Sequence, residues 1–249
     1  MAVIAVYSVK GGVGKTTIAA NLAWCASQEA GWKTLLWDID AAGGAAFLMG
    51  VDAVPKKRAG AVFAGEGNPQ KAILHTPFPG LDLLPSDRSL WTLDAQLAAI
   101  GKKRRLAKLS AALGKSYPRI ILDCPPVLNE ISAQAMRAAD IVIVPLPPSP
   151  LSTRAFALVA EEVKGAGKSH PPILPVLSMV DRRRTLHRDA IAANPSWPII
   201  AHSSAVEQCA VQRAPLGAFA PETMQARVFS QLWRAIDSKL EHRKAGKAN

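Results

Sequence analysis

Ala2-Val-Ile-Ala-Val-Tyr7 runs into Ser8-Val-Lys-Gly-Gly-Val-Gly-Lys-Thr-Thr17 and then into Ile18-Ala-Ala-Asn-Leu-Ala-Trp24. An apolar run, a glycine-rich loop and a helical segment in that order read as strand, loop and helix. Gly11, Gly12 and Gly14 lack the Cβ atoms that would stop a backbone folding tightly round an anion, so successive N–H groups can point at one phosphate. Lys15 adds a point charge, and the helix presents its unpaired N–H groups and positive dipole end to the same anion. The Thr16 hydroxyl is placed to ligate magnesium. With Val13 and Thr17 completing it, the segment from Gly11 to Thr17 suits a nucleoside triphosphate; a ligand-free turn would not need strand, loop and helix at this spacing.

The loop departs from the ordinary phosphate-binding pattern. Val9 stands where a glycine is expected, and Lys10 is an additional lysine. Lys-Gly-Gly-Val-Gly-Lys-Thr-Thr resembles the deviant Walker A loop of the ParA/MinD superfamily. In that family the extra lysine, here Lys10, reaches across a dimer interface to the nucleotide of the other subunit. The resemblance implies ATP as the nucleotide, a weak ATP hydrolase activity and an ATP-dependent homodimer.

At 249 residues the chain is long enough for one α/β domain with a substantial core, and no Ser/Gly/Pro-rich linker divides it, so residues 1–249 are read as a single domain. No apolar run reaches the length of a membrane span, and the chain enters its first strand without the basic flank and cleavage site of a signal peptide, so a cytoplasmic location is expected. Cys25, Cys124 and Cys209 are odd in number and far apart, which fits reduced core thiols better than a disulfide framework or a C-x-x-C site. The five histidines show no ligand spacing, leaving magnesium with the nucleotide as the metal expected. A net charge of +11 fits sequence-independent attraction to nucleic acid or to an acidic membrane surface, though a solvated basic surface would give the same number.

Two further segments carry carboxylates at strand ends. Lys33-Thr-Leu-Leu-Trp-Asp-Ile-Asp40 reads as a buried parallel strand, and its carboxyl end is where ligands bind in open α/β sheets. On an extended chain Asp38 and Asp40 point to opposite faces and cannot serve one atom. Arg119-Ile-Ile-Leu-Asp-Cys-Pro-Pro126 is a second buried strand, ending in a carboxylate and a stiff turn. Asp123 is suited to hold magnesium through bound water, or to accept from the Thr16 hydroxyl. One matches the superfamily throughout and the other in part. Asp123-Cys-Pro-Pro fits its Asp-x-Pro-Pro, whereas Asp38-Ile-Asp40-Ala-Ala stands where the family has Asp-x-Asp-Pro-Gln. By that match Asp40 would position the attacking water; the competing role is a helix N-cap for residues 45–49.

Asp140-Ile-Val-Ile-Val-Pro145 and Pro172-Ile-Leu-Pro-Val-Leu-Ser-Met-Val-Asp181 add two more strands, and Leu81–Pro85 and Ile199–Ser203 two shorter ones. Strands alternating with helices imply a doubly wound, mostly parallel sheet with helices on both faces. Helical periodicity from Leu90 to Leu113 carries Lys102, Lys103, Arg104, Arg105 and Lys108, as suited to a solvated face as to a binding surface.

Arg182, Arg183, Arg184 and Arg188 follow a strand end, where side chains are free to reach a phosphate backbone. By resemblance to partition ATPases they are candidate contacts to non-specific double-stranded DNA, with Lys239, Arg243 and Lys244 on the last helix as additional ones. The same resemblance puts the adenine base against Met179 and Asp181 and against a turn containing Ala220 and Pro221. Val228, Phe229, Leu232, Trp233, Ile236 and Leu240 form one stripe of the last helix. Asp237 and Glu241 interrupt its basic face, so docking on the sheet is favoured over membrane targeting.

The function expected is therefore that of an ATP-dependent dimerising ATPase that binds DNA non-specifically and positions or segregates a cargo, with an adaptor or activator protein stimulating hydrolysis. A MinD-like membrane-surface positioning ATPase is the alternative.

Overall fold

The computed structural model describes residues 1–52, 58–65, 68–92, 104–165 and 170–248; Lys102 and Lys103, and the part of the expected Leu90–Leu113 helix on residues 93–103, lie outside these. The strands are β1 (Ala2–Val6), β2 (Thr34–Asp38), β3 (Leu74–His75), β4 (Leu81–Leu84), β5 (Arg119–Asp123), β6 (Ile141–Leu146), β7 (Ile173–Val180) and β8 (Ile199–Ala201). The helices are α1 (Lys15–Trp24, continued by a π turn over Cys25–Glu29), α2 (Gly44–Leu48), α3 (Ala59–Ala64), α4 (Arg105–Leu113) and α5 (Glu130–Ala138). They continue with α6 (Pro150–Gly165), α7 (Thr185–Ala193), α8 (Ser204–Gln212), α9 (Leu216–Phe219) and α10 (Met224–Ala248).

All eight strands form one sheet in the order β3-β4-β2-β5-β1-β6-β7-β8. Every pairing is parallel except β3 with β4. The expected α/β architecture is thus present, and its continuous apolar strands follow from burial on both faces. In β1 the alternation is direct: Ala2, Ile4 and Val6 belong to one core with α1 and α10, while Val3, Ala5 and Tyr7 belong to the other with α4 to α6. The last helix delivers its stripe to the first of these cores, with Phe229, Leu232, Trp233, Ile236 and Leu240 each no more than 3% exposed. Arg119 at the amino end of β5 holds that helix, donating to Asp237 at 2.9 and 2.6 Å and to Glu241 at 2.7 Å while lying 4.0 Å from the centre of the Trp32 ring.

Two expectations are sharpened. The second strand stops at Asp38 rather than at Asp40, because the Asp38 carboxylate turns back to accept from the amides of Asp40 (2.9 Å) and Ala45 (3.1 Å). A short helix, Leu216–Phe219, precedes the turn that contains Ala220 and Pro221.

Candidate functional site

β1 lies between β5 and β6, so the loop leaving its carboxyl end faces the loops leaving β2 and β5. Gly12 and Gly14 take φ of 68° and 87°, the left-handed region that side chains disfavour, and an added Cβ on Gly11 meets nothing within 4 Å. Helix α1 starts at Lys15 with no side-chain cap and no acidic residue in its first turn. Its positive end is therefore uncompensated beside an open, glycine-lined hollow, which is the geometry an anion requires.

Lys15 is buried, and its Nζ donates to the Lys10 carbonyl at 3.0 Å. Burial lowers its pKa, against the opposing charges of Asp123 and Asp40. The Lys10 side chain turns inward and donates to Ser152 Oγ at 3.1 Å, at the start of α6. Both lysines are thus held by neutral oxygens of their own chain.

Asp123 is 1% exposed, and neither carboxylate oxygen has a hydrogen-bond partner. Burial pushes its pKa up to about 7; the Thr16 hydroxyl and Lys15 oppose the rise and Asp40 adds to it. Asp38 is fully buried, and burial together with the charge of Asp123 holds its pKa well above the ordinary range, against the two amides it accepts from. Two buried carboxylates with a third nearby, two of their oxygens orphaned and a threonine hydroxyl alongside, fit a divalent cation. Its charge would compensate the desolvation. Thr16 and Asp123 are the residues that would hold it.

Asp40 is half-buried, and its Oδ1 accepts from the Ala42 amide at 3.0 Å. It does not cap the helix beginning at Gly44. That position is filled by Gly43, and the Ala45 amide is taken by Asp38; the charge of Asp40 acts on Lys15 and Asp123.

Next to the loop is a recess lined by Val13, Thr17, Ser178, Met179, His202 and Val206, among others. The register of β7 against β8 shifts between Leu177 and Val180, and Met179 takes φ of 54° there. Such a bulge re-aims the strand end. Ser178 Oγ is buried with no hydrogen-bond partner, leaving a polar group unused in a lining that Thr17, His202, Ser203 and Glu207 also make partly polar. Met179, one of the residues expected to meet the base, lines this recess. Asp181, Ala220 and Pro221 are not among the lining residues, and the far wall comes instead from Ile200–Ser203, Val206 and Phe229. No spacing in the sequence ties those positions to a loop some 190 residues earlier.

The four arginines after β7 divide into two kinds. Arg183 donates to both Asp181 oxygens at 2.9 Å, and Arg188 donates to the carbonyls of Arg182 and Arg183 at 3.3 and 2.9 Å. Arg182 and Arg184 are exposed, with no hydrogen bond or ion pair from either guanidinium among the described residues. Lys239 and Arg243 are not part of this group. They lie on the half of α10 that Arg119 holds at the amino ends of the strands; the side chain of Lys244 lies outside the described residues.

The family profile described as an AAA domain matches residues 1–174. The chromosome partitioning protein ParA of Caulobacter vibrioides is 33% identical over 192 residues, covering 74% of this chain and 72% of its own. An ATP complex of McdA from Cyanothece superposes with a TM-score of 0.83 at 24% identity, over 95% of this chain and 96% of that one. The septum site-determining protein MinD of Pyrococcus horikoshii, complexed with Mg-ADP, superposes at 0.79 with 26% identity, over 95% and 96%.

Proposed function

We propose that this chain, which belongs to the ParA/MinD-type P-loop ATPases, is an ATP-dependent dimer switch that binds DNA without sequence preference and positions or segregates a cargo. The observation that carries the reading is the pair of orphaned oxygens on buried Asp123, set against Thr16 and Lys15 behind a glycine-lined hollow. Such a site is costly when empty and is relieved by a cation and a phosphate chain. Magnesium held at Thr16 and Asp123 would neutralise charge on the transferring phosphate.

The chain's own residues do the rest. The loop amides from Gly11 to Thr17 and Lys15 take the phosphates, and the recess at Ser178 and Met179 takes the base. Binding draws Lys15 away from the Lys10 carbonyl; Lys10 then leaves Ser152 and reaches the nucleotide of a second subunit. Asp40, whose charge acts on Lys15 and Asp123, orients the attacking water. Hydrolysis is slow until an adaptor or activator protein, encoded nearby, stimulates it, and the dimer then separates. Residues 1–249 act as one domain, in the cytoplasm and on the nucleoid.

Arg182 and Arg184 supply the DNA contact, supported by their lack of partners in the chain and by the net charge of +11. The buried stripe of α10 and its tether to Arg119 speak against stable membrane association, and no helix among the described residues is long and apolar enough to cross a membrane.

Binding to random-sequence duplex DNA, measured by anisotropy against salt with ATP, with ADP and without nucleotide, tests the switch. Closing two subunits over DNA roughly doubles the phosphate contacts, so the ATP form should bind more tightly and with a salt slope about twice as steep. Equal affinity and slope in all three states would overturn it.

A further inference from the structure

Two residues other than glycine take positive φ among the described residues, Met179 at 54° and Arg213 at 51°. Met179 lines the recess, and Arg213 closes α8, the helix whose first turn lines the same recess through Val206 and Glu207. Glycine is the usual residue at a left-handed helix end, so an arginine there persists only where its surroundings over-determine it.

They do so through one guanidinium. Arg213 Nε donates to the Phe47 carbonyl at 3.1 Å, and its two terminal nitrogens donate to the two Asp52 oxygens at 3.0 and 2.5 Å. The same group stands 4.9 Å from the centre of the Phe47 ring. Gly50, itself at a φ of 69°, fits against it: an added Cβ would lie 3.2 Å from the Arg213 carbonyl. An exposed ion pair alone is worth little, but a planar fork that takes a carboxylate in both prongs and a helix-end carbonyl as well fixes a geometry.

What it fixes is α2. That helix has five residues, too few to hold a conformation by itself, so its two ends decide where it sits. Its amino end follows the Asp40 loop and is capped by Asp38. There, a Cβ added to Gly44 would stand 3.4 Å from Thr16 Cγ2 and 3.5 Å from Thr16 Oγ1. Its carboxyl end lies in the fork of Arg213.

We propose that Arg213 is a positioning residue for hydrolysis: by holding the far end of α2 it sets where Thr16 and the Asp40 loop stand, and it ties that setting to the helix lining the recess. This rests on the ATPase reading above. The role is specific to the fork, since lysine would keep the charge without the bidentate geometry.

Arg213→Gly removes the fork while suiting the left-handed backbone, and Arg213→Lys removes only the planar geometry. ATP turnover by either variant should fall about five- to ten-fold, with the KM for ATP within about two-fold of wild type. The thermal midpoint of Arg213→Gly should not fall. Undiminished turnover, or turnover and thermal midpoint falling together, overturns the proposal. Hydrogen exchange of residues 44–48 in the nucleotide-free protein provides a second arm that does not depend on turnover. Arg213→Gly should speed exchange there about ten-fold while leaving β1 unchanged. A wild-type protein without ATP turnover would defeat the ATPase reading and with it the hydrolytic role of Arg213. The exchange arm then decides the hold on α2, and unaltered exchange overturns that as well.

Discussion

Asp123 carries a conflict within one side chain: it ends a fully buried strand, yet both its oxygens lack partners. Desolvation raises its pKa in the free protein, so the site is strained toward accepting either a proton or a cation. Asp123→Asn keeps the shape and removes the charge. Urea unfolding of the nucleotide-free variant should show a midpoint no lower than that of wild type, while magnesium-dependent nucleotide affinity, read by fluorescence titration, should drop by at least about ten-fold. His187 shows the opposite economy. It is buried, and its Nδ1 accepts from the Asp181 amide at 2.9 Å, an arrangement only the neutral ring can make. Burial lowers its pKa, with Arg184 adding to the effect and Asp181 opposing it. The unfolded chain therefore binds more protons in the window from the lowered folded pKa up to the ordinary value of about 6.5, and stability rises with pH across it. The His187 contribution is constant above about pH 6.5 and is lost below it, so the unfolding midpoint of wild type relative to that of His187→Asn, which keeps an acceptor at the same place, should be constant above about pH 6.5 and decline below it.

Among the elements, α10 has the most ambiguous sequence and the least ambiguous packing. An amphipathic basic helix near a chain end suits either a membrane surface or a core, and hydrophobic periodicity cannot distinguish them. Packing does. The stripe is buried against α1 and the sheet, and Arg119, from the far side of the chain, takes Asp237 and Glu241, the acids that interrupt the basic face. Arg119→Ala removes this tether together with the stacking on Trp32. Because Asp237 and Glu241 keep some access to water, the loss should be about 2–3 kcal/mol in urea unfolding rather than the full cost of stranding buried charges. If the helix served a membrane instead, the same variant would bind anionic vesicles more strongly without losing stability.

At the scale of the molecule, the sheet order decides which distant residues act together. β1 at the centre brings the loops of β1, β2 and β5 to one crevice, and β7 and β8 extend that edge to the recess and the arginine loop. Lys239 and Arg243 are carried toward the other end by the helix that Arg119 holds. A nucleotide-driven change at the crevice should therefore couple to Arg182 and Arg184 and not to the C-terminal pair. Arg182→Ala with Arg184→Ala should reduce the salt slope of ATP-dependent DNA binding by about two for each subunit, whereas Lys239→Ala with Arg243→Ala should leave its ATP dependence intact. Equal effects of the two double variants would mean that the whole surface, rather than one loop, meets DNA.

The amino-acid sequence by itself determined the parallel sheet, because residues buried on both faces of a strand must form continuous apolar runs, and Val3 to Tyr7, Leu35 to Trp37 and Ile120 to Leu122 are such runs. It also determined the phosphate loop, because Gly12 and Gly14 occupy backbone conformations that side chains disfavour and Lys15 follows at once in the same local segment. Those are short-range constraints, legible wherever neighbouring residues impose them. Tertiary structure alone decided that Asp38 rather than Asp40 caps α2 and that the recess is walled by β8 and α8 rather than by Ala220 and Pro221. It also decided that Lys10 rests on Ser152, that Arg183 and Arg188 are engaged within their own loop, and that Arg213 grips α2. Most of these depend on side chains meeting across tens to more than a hundred residues of chain, and the rest on which local partner a side chain takes. Burial and hydrogen-bond geometry make those choices only once the layers have closed.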